Sequence, residues 1–155
     1  MEDHQPLLRA SENGVVLPLY IIEPELWNQA DTSARQWCFI RECLQELQQA
    51  LAAVGQPLVV RVGEVLPVLQ ALHRQRRIAQ LWSHEETGNG FTYARDRAVR
   101  RWLRQQGIPR QEFQNFGVIR RLGDRNGWAP AWERQMGLPC HQAPVSLTPL
   151  PGVDC

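Results

Sequence analysis

Lysine is absent from the sequence: all 17 basic side chains are arginine. Against 16 acidic residues they leave a formal charge of +1, too balanced to draw the whole chain toward nucleic acid or an anionic membrane. Any such binding would be local, and the skew toward arginine is given no functional weight. Long apolar runs are also missing. The longest are Ala50 to Val54 and Val15 to Ile22, the second interrupted by Pro18, and neither approaches the roughly 20 residues of a membrane-spanning helix. Met1 to Pro6 has neither the basic nor the apolar region of a secretory signal, so the expected address is cytoplasmic.

Cysteine is scarce. Cys38, Cys43, Cys140 and Cys155 form no C-x-x-C pair, and only Cys140 has a histidine beside it, His141. A disulfide scaffold and a zinc site are therefore not expected. Cys38 and Cys43, five apart on a helix, are expected to be packed, reduced thiols rather than a redox pair. Nucleotide loops are lacking as well. No G-x-G-x-x-G or G-x-x-x-x-G-K-[ST] follows a strand, and Gly88-Asn89-Gly90 has neither the lysine nor the spacing. No repeat or low-complexity block is present.

The 155 residues, 43% hydrophobic and 21% charged, suit one domain with a real core. Short apolar runs alternate with helical patterns. Val15 to Ile22 is β-branched and bounded by Asn13-Gly14 and Glu23-Pro24, as a buried strand is, although Pro18 argues for an interruption. From Ser33 to Ala53, Trp37, Ile40, Leu44, Leu47 and Leu51 form a helical stripe, with Thr32 or Ser33 as N-cap and Gly55 past the end. Pro57 to Val62 is a second strand, and Glu64 to Arg76 a helix with Val65, Leu69 and Leu72 on one face. Ile78 to His84 is a third strand. Thr92 to Gln106 is a helix closed by Gly107, Gln111 to Phe116 a weaker fourth strand, and Trp128 to Met136 a final short helix. This alternation predicts an α/β domain with a mostly parallel sheet, because parallel neighbours need crossover connections. After Pro139 the periodicity stops and prolines accumulate, which divides the chain into a domain over residues 1–140 and a Pro-rich linker or tail over 141–155.

Two stretches are more specific. Leu81-Trp-Ser-His-Glu-Glu-Thr-Gly-Asn-Gly-Phe-Thr-Tyr-Ala-Arg-Asp96 resembles the strand, loop and helix start of the N-terminal domain of the photolyase and cryptochrome family, especially its bacterial branch. Phe116-Gly-Val-Ile-Arg-Arg-Leu-Gly-Asp-Arg-Asn-Gly-Trp-Ala-Pro-Ala-Trp132 resembles the G-V-V-R-R-L and R-x-G-W-A segment of the same branch. With Glu2 to Ala10 and the strand through Tyr20, the resemblance reaches about Cys140. It implies a three-layer, Rossmann-like parallel sheet flanked by helices. Family members begin with a strand and a W-F-R-x-D-L-R loop, followed by E-D-H-x-P-L; here Met1 directly precedes Glu2-Asp3-His4. The implied central first strand is thus missing, and the strands through Ile22 and His84 are expected to pair directly or to leave a gap filled by another chain. The all-helical domain that binds FAD and receives damaged DNA is likewise not represented. No catalytic residue or metal site is assigned to this chain.

The resemblance implies an antenna and structural role in a flavoprotein for light-driven repair of pyrimidine dimers or for signalling. Its partners would be the FAD-binding helical domain, in cis or in trans, and damaged DNA through that domain. Its ligand would be an antenna pigment, methenyltetrahydrofolate or a deazaflavin. His84, Glu85 and Glu86 fall at the carboxyl end of a parallel strand, where open α/β sheets place ligands, and a carboxylate there could accept hydrogen bonds from a pterin ring. Asp3 is a weaker candidate, since it could instead cap the helix beginning near Gln5. The competing account of Glu85 and Glu86 is that they hold Thr92 or nearby backbone amides. Arg95, Arg97, Arg100, Arg101 and Arg104 are expected to form a solvated helix face, and Trp37, Trp82 and Trp102 to be core. None of the six tryptophans is assigned to an electron-hopping chain, which the resemblance implies for the flavin domain, and Trp128 and Trp132, four apart on a short helix, could pack either inward or against a partner domain. Two rival readings are a stand-alone nucleotide-binding module of universal-stress type, which would need a Gly-rich phosphate loop, and a gene fragment without function.

Overall fold

A computed structural model describes residues 1–115, 117–120 and 122–152. In chain order the elements are α1 (Gln5–Asn13), β1 (Leu19–Ile22), α2 (Pro24–Trp27), α3 (Ala34–Ala53), β2 (Val59–Val62) and α4 (Val65–Gln75). They continue with β3 (Leu81–His84), α5 (Gly90–Gln106), β4 (Arg110–Phe113), a 3₁₀ turn (Arg125–Gly127) and α6 (Trp128–Met136). No helix among the described residues is long and apolar enough to cross a membrane.

Local chemistry sets the helix ends. Ser33, not Thr32, caps α3, its hydroxyl accepting the Gln36 amide at 3.3 Å, and Asn89 caps α5 through the Thr92 amide at 3.0 Å. Gly107 closes α5 in the left-handed region, where a residue without Cβ carries no steric cost. Asp3 does not cap α1. That role falls to His4, whose Nδ1 accepts the Leu7 amide at 3.1 Å. Asp3 is turned away: its carboxylate accepts the His141 amide at 3.0 Å. The short turn α2, started by Pro24, was not foreseen.

Each strand is shorter than its apolar run. β1 starts only at Leu19 because Pro18 has no N–H to donate, although its carbonyl still accepts the Val59 amide at 2.8 Å. β2 begins at Val59 and β3 at Leu81, where the first ladder bonds form. β4 runs from Arg110 to Phe113 rather than from Gln111 to Phe116, and Phe116 lies outside the described residues.

All pairing is parallel. β1 pairs β2 with Leu19 opposite Val59, and β3 pairs β4 with Leu81 opposite Arg110. These are two separate two-stranded ladders: β1 and β3 do not pair. Side chains alternate across the pleat, and helices cover both faces. Leu19 packs against the buried cluster of Leu69, Val99, Trp102, Leu103 and Ile108, while Tyr20 and Leu7 pack against that of Leu51, Leu58 and Leu147. The result is a three-layer arrangement with an interrupted middle layer. Where β1 and β3 face each other lies a cavity of about 1080 Å³.

Two expectations about burial need correction. Cys38 and Cys43 are exposed, because α3 buries only the stripe through Leu44, Leu47 and Leu51 and both thiols fall outside it. Arg95 does not belong to a solvated face but is engaged by carboxylates, and Arg100, although more exposed, is ion-paired as well, as described below. Trp102 is core, whereas Trp37 is only partly covered, edge-on to Trp27 at 5.1 Å. Residues 141–152 contain neither helix nor strand, yet Leu147 is buried and its amide donates to the Val54 carbonyl at 2.6 Å.

Candidate functional site

The carboxyl ends of β1 and β3 open at one end of the cavity, and there the polar side chains collect. His84 and Glu86 line it, joined by His4 from the start of α1. The His4 and His84 rings meet edge to face at 4.8 Å. Burial pushes both imidazoles below the ordinary value of 6.5, and in His4 the neighbouring His84 adds to the effect. Asp3 is close enough to oppose the shift of His84 but does not line the cavity. Glu85 does not line it either; its amide donates to the Phe113 carbonyl at 2.8 Å, closing the β3 and β4 ladder.

A second set of residues, invisible to local sequence reasoning, holds this end together. Arg95 of α5 bonds Glu23, just past β1, through one nitrogen and Glu86, just past β3, through the other. It thereby ties the two separate ladders at their carboxyl ends. Glu23 is 3% exposed, and burial raises the pKa of its carboxyl even though Arg95 pulls the other way. Arg120 donates to the Glu86 carbonyl at 2.7 Å and to Glu112 at 3.0 Å. Glu112 also receives Arg100 and Arg110, each at 2.9 Å, and Arg110 bonds the buried Asp96. The one trace of this network in the sequence was the crowding of arginines on α5 around a single aspartate.

The network decides which groups remain for a ligand. Glu86 is occupied, its Oε1 accepting the Gly88 amide at 2.8 Å and its other oxygen held by Arg95. Thr92 is served by Asn89 and not by either glutamate. Among the described residues the Glu85 carboxylate makes no hydrogen bond or ion pair. His84 Nδ1, Ser83 Oγ and Glu23 Oε2 are buried and unpartnered. Buried polar atoms are rarely left so, because the cost of desolvation is then uncompensated. Of these groups His84 and Ser83 line the cavity, whereas the Glu85 carboxylate and Glu23 lie outside its lining. The four groups of the ligand expectation are thus only partly assembled: His84 and Glu86 line one cavity, Glu85 and Asp3 lie outside its lining, and His4, which the sequence did not single out, joins the wall.

The model of the DNA photolyase family matches residues 1–120. The chain belongs to that family. Among curated relatives of this photolyase-family chain, tomato (Solanum lycopersicum) cryptochrome DASH is 28% identical over 92 residues, covering 55% of this chain and 16% of its own length. Cryptochrome-1 of Erithacus rubecula is 28% identical over 105 residues, 66% of this chain and 17% of that protein. Among solved structures, a Synechocystis cryptochrome superposes with a TM-score of 0.81 at 21% identity, covering 99% of this chain and 35% of its own. A class III photolyase from Agrobacterium tumefaciens gives 0.76 at 24% identity, with 97% and 33% covered. At these identities the structural likeness establishes the α/β fold of the family's N-terminal domain. The chain spans about a third of the length of those structures, and less of the curated relatives.

Proposed function

We propose that this chain is the antenna and structural domain of a photolyase- or cryptochrome-type flavoprotein, with residues 1–140 as the domain and 141–155 as its Pro-rich linker. The observation that carries this reading is the family match over residues 1–120, on a chain whose fold agrees. In the proposal an antenna pigment, methenyltetrahydrofolate or a deazaflavin, sits at the carboxyl ends of β1 and β3. The unpartnered acceptors and donors there suit the polar edge of a fused heterocycle. Glu85 would accept from the pigment's donor edge and His84 would present its buried Nδ1, while Glu86 and Arg95 hold the loop in place. Asp3 would act through its contact with the His141 segment rather than on the pigment. Flavin, when bound, supplies the light-driven electron transfer, and the helical domain that would hold it docks in cis or in trans. The whole assembly would repair pyrimidine dimers in damaged DNA or signal blue light.

The test is spectroscopic. The purified 155-residue chain is mixed with methenyltetrahydrofolate or with a deazaflavin, and bound pigment is read from its absorbance and fluorescence after gel filtration. Binding that Glu85→Gln weakens about tenfold, the loss of one charge-assisted hydrogen bond, supports the assignment. Absence of binding by both pigments, with the fold intact by circular dichroism, overturns it.

A further inference from the structure

Helix α5 divides its arginines between two sides. Toward the sheet, Glu23 and Glu86 take up Arg95, while the buried Asp96 and Glu112 of β4 take up Arg100 together with Arg110 of β4. Away from the sheet, Arg97, Arg101 and Arg104 are exposed, and among the described residues none of them makes an ion pair or a hydrogen bond. At 3.6 residues per turn these three share an arc of about 80° with the exposed Tyr93 ahead of them, and the arginines follow one another at about 6 and 4.5 Å along the axis. The opposite side of the helix is buried through Val99, Trp102 and Leu103, which fixes the row outward. Arg97 stands over the Tyr93 ring at 6.0 Å. Near the end of α4, Arg74 is exposed too, and its neighbour His73 meets Trp102 of α5 edge to face at 5.8 Å, so the adjoining helix reinforces the field of the row.

Local charge does not balance this row. No Asp or Glu occurs between residues 97 and 111 or between 65 and 84, and like charges three and four residues apart on a helix repel. A solvated face ordinarily interleaves the two signs. The negative end of the helix dipole favours cations in the last turn, which accounts for Arg104 and for Arg74 but not for Arg97 or Arg101. The missing counter-charge is what a polyanion would supply. The chemistry is narrower than charge alone, since guanidinium is a planar fork that meets phosphate oxygens through two parallel N–H donors. From Arg97 to Arg104 the row is about 10 Å long, and one strand of a duplex carries a phosphate about every 3.4 Å of its axis, so three arginines meet about three phosphates. A membrane surface fits less well, because a helix lying on lipid needs a free apolar side, and that of α5 is buried in the core. An unpaired strand also fits less well: such sites stack bases on several aromatic rings, and this row has one tyrosine, with Arg97 over its ring.

We infer that the outer side of α5 is a binding site for the phosphate backbone of duplex nucleic acid, with Arg97, Arg101 and Arg104 as its contacts and Arg74 as a flanking charge. The contact responds to charge and spacing, not to base sequence. It belongs to the α/β domain itself, apart from any DNA that reaches a helical domain, and it stands whether or not a pigment binds at the carboxyl ends of β1 and β3.

The experiment titrates the whole 155-residue chain into a fluorescein-labelled DNA duplex of mixed sequence and reads fluorescence anisotropy between about 50 and 200 mM NaCl. Three phosphate contacts give an expected slope of about −2.7 in log K against log salt, hence about fortyfold weaker binding across that range. Arg97→Gln combined with Arg101→Gln and Arg104→Gln is expected to lower affinity in the lowest salt at least tenfold and to flatten the slope by about 2–3. Its circular dichroism should be unchanged, because all three side chains are exposed. A control of the same net charge, Arg9→Gln with Arg35→Gln and Arg41→Gln on α1 and α3, is expected to bind within about threefold of the parent. Absence of binding by the parent overturns the inference, and so does an equal loss in both triple variants, which traces the attraction to net charge. Tighter binding to the unpaired strand, or to vesicles of phosphatidylserine in phosphatidylcholine, assigns the row to a different partner and refutes the inference as well.

Discussion

Replacing Asp96 by alanine tests whether the buried charge network is a structural unit. Asp96 has a side-chain exposure of 7%, and its carboxylate receives Arg110 and, at 3.4 Å, Arg100, with Arg120 at 4.0 Å. Arg110 is 11% exposed, and its Nε and Nη1 already lack partners, so Nη2, shared between Asp96 and Glu112, carries all its hydrogen bonds. Without Asp96, three guanidiniums converge on Glu112 alone, and a buried cation loses its main counter-charge. Removing one member of a buried pair costs about 3–5 kcal/mol. Because Arg100 is 37% exposed, its share is screened, and the lower end, about 3 kcal/mol, is expected. For a chain of this size that lowers Tm by about 6–12 °C. The assay is urea and thermal unfolding followed by circular dichroism and by fluorescence of the core Trp102. Asp96→Leu combined with Arg110→Leu should recover to within about 1 kcal/mol of the parent, since an apolar pair can replace a buried ionic one. If Asp96→Ala lies within about 0.5 kcal/mol of the parent, or if the double variant is less stable than the single, the reasoning is wrong.

His4 and His84, both partly desolvated at the head of the cavity, give the stability a pH dependence. Their folded pKa values lie below 6.5, so below that pH the unfolded chain takes up protons the folded chain refuses, and stability falls as pH drops. Tm measured between pH 7.5 and 5 should fall less in a His4→Asn, His84→Asn double variant, where Asn at position 4 keeps the helix cap; equal slopes would exclude this cause. Gly55 has a φ of +109°, and a Cβ there would lie 2.6 Å from the Leu147 carbonyl oxygen. Gly55→Ala should therefore cost about 1–3 kcal/mol and expose the 141–152 segment to limited proteolysis, with an unchanged cleavage pattern counting against the contact. Cys38, Cys43 and Cys140 are exposed and should all react with a thiol reagent without denaturant; protection of either thiol on α3 would mean that helix is covered.

Much of the fold was legible because it follows from short-range rules. Ser33, Asn89 and Gly107 end helices α3 and α5 through hydrogen bonds and backbone freedom within one turn, and such signals stand in the sequence itself. The apolar stripe through Leu44, Leu47 and Leu51, like that through Val99, Trp102 and Leu103, marks the side each helix buries. The alternation of strands and helices dictated parallel pairing. At the candidate site, His84, Glu85 and Glu86 could be placed at a strand's carboxyl end from sequence alone, and the family resemblance rested on those same letters.

Tertiary structure alone decided the rest. Glu23 and Arg95 are 72 residues apart, and nothing local announces that they meet or that Arg95 also takes Glu86 out of the pool of free carboxylates. His4 enters the site because α1 packs beside β3, a contact set by the whole fold. The exposure of Cys38 and Cys43 reflects what does not cover α3, which an apolar stripe cannot report. The lengths of the strands depended on where ladder bonds begin, and the separation of β1 from β3 depended on which edges find partners. Sequence determined the elements and their direction because those obey interactions spanning a few residues; structure decided the gap, the charge network and the free groups because those depend on chain segments meeting across the molecule.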